Sequence, residues 1–165
     1  MRKISIPMFV FFAVMISGCA SRTVHGSGNV TSETRSVRNF ERVDICCGME
    51  LYLEQGKAER LEIEAEDNIL EEIVSDVVAG TLKIEYKNQY PDTAYFPSRP
   101  IRVYLSVVDI ERIEISGGGE LSADSLESER LQINLSGGSD AQIDDLVADS
   151  LDVDVSGGGD VEIAG

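Results

Sequence analysis

Three carboxylates and three serines recur at fixed spacing in the last third of this 165-residue chain. Glu120, Asp140 and Asp160 lie 20 residues apart, as do Ser116, Ser136 and Ser156. Stacked about 5 Å apart, such carboxylates repel by roughly 1 kcal/mol per pair at water-like dielectric. A divalent cation would relieve that repulsion, so Ca2+ at Glu120, Asp140 and Asp160 is the one metal reading the sequence raises. A calcium-binding β-roll repeats its ligands every nine residues, however, and a 20-residue period lacks that register. The competing reading is a solvated acidic ridge screened by salt. No other cofactor is indicated. The serines would need a general base to act as nucleophiles, and the single histidine, His25, is remote in sequence. They read better as hydroxyls bonded to backbone at chain corners. Paired carboxylates could hydrolyse glycosides, but 30 Asp and Glu make chance pairs inevitable and single out none. No catalytic residue is therefore assigned.

Two further groups could do chemistry. Tyr90, Tyr95 and Phe96, followed by Arg99, sit in a proline-containing loop over residues 87–100. The loop is longer than most connections, and tyrosines stack on sugars and peptides. These four are the ligand-binding candidates; the alternative is a lid packed over the core. Cys46 and Cys47 are adjacent. Strand alternation predicts Cys47 inward and Cys46 outward, with Cys47 a small buried apolar residue.

Cys19 belongs to a different segment. Arg2 and Lys3 precede an apolar run too short to span a bilayer, and Ile16-Ser17-Gly18-Cys19 resembles the lipobox of bacterial lipoproteins. The expected organisation is a cleaved signal peptide over 1–18, a lipidated tether over 19–27 and a domain over 28–165. Acyl chains on Cys19 would supply the membrane attachment. Ala20, in place of Asp, favours the outer membrane. The face of that membrane is left open.

The elements that position these residues are strands. Apolar and polar residues alternate through 43–54, 61–65, 82–86, 101–107 and each repeat, which is the period of a half-buried strand. Residues 67–72 allow one helical turn, and Ala79-Gly80 reads as a turn between strands. The 20-residue repeat, with Gly-Gly after each serine, predicts a right-handed parallel β-helix with irregular N-terminal rungs. The chain ends shortly after Val161 and Ile163, so the last rung is expected to be an edge through which weak homo-oligomers form. The formal charge of −16 argues against nucleic acid and anionic surfaces as partners. Residues 116–165 hold 12 acids against the single base Arg130.

The order of Gly26-Ser-Gly-Asn-Val30, Arg38-Asn-Phe40, Leu51-Tyr-Leu-Glu-Gln-Gly56, Glu64-Ala-Glu-Asp-Asn68, Gly80-Thr-Leu-Lys-Ile84 and the Ser-Gly-Gly repeats resembles the putative auto-transporter adhesin head GIN domain family. The resemblance implies a β-helical fold in a bacterial envelope protein. Cys46-Cys47 departs from the small residues usual there. The expected function is a lipid-anchored, outer-membrane binding module, adhesin-like and not an enzyme, with a polysaccharide or protein ligand. The contrasting expectations are a polysaccharide hydrolase or lyase and a structural cation-binding protein.

Overall fold

The computed structural model describes residues 22–88 and 92–165. The leader, Cys19 and Tyr90 lie outside the described residues. Within them the chain forms thirteen strands and one helical turn. The strands are β1 (Arg22–His25), β2 (Val30–Arg35), β3 (Arg42–Ile45), β4 (Glu50–Gln55), β5 (Arg60–Glu66), β6 (Ile73–Val78) and β7 (Thr81–Tyr86). They continue as β8 (Thr93–Phe96), β9 (Arg102–Val107), β10 (Arg112–Ser116), β11 (Glu120–Gly137), β12 (Asp140–Gly157) and β13 (Val161–Ile163). The turn α1 is Asp67–Leu70.

Alternation places the core. Ile63, Val103, Leu51, Leu121, Ala141 and Val161 align across β5, β9, β4, β11, β12 and β13. Leu82, Val43, Ile113, Ile133 and Val153 align across β7, β3, β10, β11 and β12. Apart from Val153, which is exposed, both rows point into one hydrophobic cluster, so an eleven-stranded sheet curls around a single core in a barrel-like manner. Strands β11 and β12 belong to both walls. In β11 the alternation slips at Asp124-Ser125 and again at Glu129-Arg130, where two exposed residues follow one another.

The right-handed parallel β-helix expected from the period is overturned by the strand pairing. The sheet is mixed: β2 and β5, β5 and β9, and β6 and β7 are antiparallel. Local turn chemistry explains the hairpin. Ala79 (φ 50°) and Gly80 (φ 77°) form a two-residue turn of positive φ, the type that reverses a strand directly onto its neighbour. Strand β9 inserts between β4 and β5, parallel to the first and antiparallel to the second. The repeats themselves stack in parallel register, with Ser116, Ser136 and Ser156 on adjacent strands. Gly117, Gly118 and Gly137 turn the corners at φ 80°, 88° and 86°.

Three local expectations also change. Cys46 and Cys47 are joined by a disulfide, and Cys47 is exposed at φ 72° rather than turned inward, because the turn between β3 and β4 breaks the alternation there. Residues 22–25, expected in the tether, form β1 and pair with β8, burying Val24. At the far end Leu151, Val153 and Val155 are 42%, 36% and 41% exposed, since β13 covers only residues 141–143 of β12. No helix of the described residues is long and apolar enough to cross a membrane.

Candidate functional site

The sequence-picked aromatics separate. The Tyr95 ring stacks on Tyr86 at 3.8 Å between centroids, and its hydroxyl donates to Glu72 Oε2 at 3.3 Å. Burial pushes the Tyr86 hydroxyl up to about 12, with Tyr95 adding to it. Burial first, and then Glu72, also raises Tyr95. Tyr95 is thus part of the packing, as a lid would be. Phe96 is exposed and stacks on His25 at 5.4 Å. Arg99 is exposed, on a segment whose backbone wraps Glu66.

That segment belongs to a polar clasp the sequence did not announce. Glu66, only 1% exposed, accepts from Gly28 N (2.5 Å), Ser98 N (2.8 Å) and Ser98 Oγ (2.6 Å). Asp67 accepts from Ser27 Oγ (2.5 Å) and Asn29 Nδ2 (2.9 Å). Asn68 closes the ring by accepting from Ser27 N and donating to the His25 carbonyl. These bonds, Ser98 first for Glu66 and Asn29 first for Asp67, hold both carboxyls below their ordinary range. A Cβ on Gly26 would lie 1.8 Å from Glu66 Oε2, so Gly26 is required for the fit. The clasp ties the N-terminal strand to the domain, and its carboxylates are consumed in doing so.

Glu120 and Asp140 are direct neighbours on β11 and β12, and Asp140 Oδ1 accepts from Asp160 N at 2.9 Å. The three follow one another along an exposed column. Among the described residues no group of three or more His, Cys, Asp or Glu is placed to hold a metal. At the corner, Ser139 Oγ donates to the Ser136 carbonyl at 2.8 Å.

A further concavity lies on the outer face of the wall made by β5, β9, β4 and β11. It is a groove of about 640 Å³, within the range of ligand sites. Tyr52 on β4 and Tyr104 on β9 are direct neighbours, and their rings stack at 5.1 Å. They are 37% and 40% exposed. Gln55, Ser106, Ser122, Arg60, Glu54, Glu62 and Asp124 are among the other lining residues. Tyr52 Oη donates to Glu50 Oε2 at 3.1 Å, and its pKa is raised, first by desolvation and then by that bond. Beside the pair, Arg102 Nη1 donates to Glu64 Oε1 (2.8 Å) and Arg102 Nε to Glu50 Oε2 (3.2 Å). The bond to Glu64, then that to Glu50, raises the Arg102 pKa further. The arrangement offers an aromatic surface with convergent hydroxyl, amide and carboxylate groups. Period two turns Tyr52 and Tyr104 outward from sequence alone; only the pairing of β4 with β9 brings them together.

Residues 39–165 match the family model described as "Putative auto-transporter adhesin, head GIN domain". The fold is similar to crystal structures of a putative adhesin from Parabacteroides merdae (TM-score 0.73, 19% identity, covering 82% of this chain and 56% of that one) and of a putative lipid binding protein from Parabacteroides distasonis (0.70, 15%, 86% and 76%). A putative adhesin from Parabacteroides distasonis is also similar (0.67, 18%, 84% and 66%). The chain thus spans little more than half the length of the first of these. No protein of curated function matches.

Proposed function

The chain belongs to the auto-transporter adhesin head GIN domain family, and on that premise we propose that it is a non-catalytic, adhesin-like binding protein of the bacterial cell envelope whose contact surface is the Tyr52–Tyr104 groove. The observation that carries this reading is the exposed, stacked tyrosine pair lining a groove of about 640 Å³. Two large aromatics that keep over a third of their surface in water have apolar area left to bury against a partner. The polar groups around them can fix its orientation. Anchoring through acyl chains on Cys19 in the outer membrane completes the proposal and rests on the lipobox alone.

Retention of protein-coated beads on polysaccharide and protein matrices tests the groove. Tyr52→Ala with Tyr104→Ala should abolish retention while leaving thermal unfolding nearly unchanged. Retention equal to wild type would sink the assignment. Release of reducing ends from a polysaccharide matrix would instead make the protein a hydrolase. For the anchor, Cys19→Ala should lose labelling by a palmitate analogue, and labelling that persists would refute it.

A further inference from the structure

The ligand chemistry of this groove can be taken further, resting on the reading just given. Strand register places Glu62, Tyr104, Tyr52, Ser122, Gln142 and Glu162 in one outward row across six strands. Adjacent members step by about 4.8 Å, close to the length of one pyranose unit in an extended chain. The two tyrosines stack on each other, Tyr52 keeps 37% of its surface exposed, and the short Ser122 follows it in the row. Gln142 then presents an exposed amide, one of whose hydrogens is given to Asp144 Oδ1. A ligand lying across the strands would meet the exposed edges of the two stacked rings first and hydroxyl and amide groups next. That is the alternation of C–H faces and hydroxyls on a sugar chain.

Charge narrows the class. Arg102, which flanks the row, is engaged by both Glu50 and Glu64. Among the described residues Arg60 is the one base lining the groove, against the acids Glu54, Glu62 and Asp124. A carboxylate or sulfate would enter a net negative field, whereas sugar hydroxyls can donate to the same acids. We propose that the row from Tyr104 to Gln142 binds an extended, uncharged oligosaccharide running perpendicular to the strands.

Calorimetric titration of the protein with cellotetraose, chitotetraose and a hyaluronan tetrasaccharide tests this. Either uncharged tetrasaccharide should bind about tenfold or more tightly than the acidic one, and more tightly than its own disaccharide. Tyr52→Ala and Tyr104→Ala should each weaken binding about tenfold, the scale of one lost aromatic contact. Gln142→Ala should weaken the tetrasaccharide but not the disaccharide, a length dependence that general destabilisation would not produce. Equal or tighter binding of the hyaluronan fragment overturns the proposal. So does the absence of uncharged binding while Tyr52- and Tyr104-dependent retention on a protein matrix persists; in that case the groove stands and its ligand is not a glycan. Loss of both overturns the groove as well.

Discussion

Adjacent glycines in one repeat should respond in opposite ways to the same substitution. Gly137 has φ 86°, and an added Cβ would lie 3.3 Å from both Gly117 N and Gly118 N. Gly138, its neighbour, has no positive φ, and an added Cβ would meet nothing within 4 Å. A left-handed conformation costs a residue with a Cβ about 1–2 kcal/mol. Gly138→Ala carries no such cost and lowers the entropy of the unfolded chain, for a gain of up to about 1 kcal/mol. At about 4 °C per kcal/mol for a domain of this size, Gly137→Ala should lower Tm by about 4–8 °C. Gly138→Ala should leave Tm unchanged or raise it slightly. Gly119→Ala supplies a third case without positive φ, because its Cβ would lie 2.6 Å from the Met49 carbonyl oxygen and 2.8 Å from Ile115 Cγ2. That clash falls on backbone and core, so the cost should be about 1–3 kcal/mol. Thermal unfolding followed by circular dichroism reads all three. If Gly137→Ala and Gly138→Ala behave alike, the stacking of the Ser-Gly-Gly corners described here is wrong.

The clasp makes stability depend on acid. Glu66 and Asp67 have lowered folded-state pKa values, so their contribution is present above the unfolded values of about 4 and is lost as pH falls through the folded values. Tm should therefore drop steeply below about pH 4. Glu66→Gln should be less stable at pH 7 and show a shallower acid slope; an unchanged slope would remove Glu66 from the account. At the open half of β12, exposed Leu151, Val153 and Val155 favour pairing with a second copy, while Asp152 and Asp154 oppose it. Sedimentation should show monomer at low salt and weak, salt-promoted association; a monomer at every salt and protein concentration would contradict this. Gly26→Ala should detach β1 and expose Val24, read as faster amide exchange at Arg22–His25, and unchanged exchange there would contradict the clasp geometry.

Local strand character was legible because period-two alternation is a property of contiguous residues. Residues 43–45, 50–55 and 82–86 are strands for that reason, and Ala79-Gly80 is the turn between β6 and β7. The repeat correctly aligned Ser116, Ser136 and Ser156 because stacked parallel strands keep a constant period. Strand direction upstream was not legible. Alternation is the same in a parallel or antiparallel pair, so nothing in residues 60–66 reveals that β5 runs against β9. The groove was hidden by the same limit. Tyr52 and Tyr104 each read as outward, yet their meeting depends on β9 inserting between β5 and β4. The clasp joins two segments that the family resemblance had marked separately, Gly26–Asn29 and Glu66–Asn68, without a hint that they touch. Cys47 was misplaced because alternation was carried through a turn whose positive φ ends it.

Backbone amide shift mapping reports the contact surface without presupposing which residues form it. Titrating the labelled protein with chitotetraose or cellotetraose should move the signals of Tyr52, Tyr104, Ser122 and Gln142 together, along one outward row of the sheet. Shifts confined to Tyr95, Phe96 and Arg99, with the row from Tyr104 to Gln142 unmoved, would contradict the account.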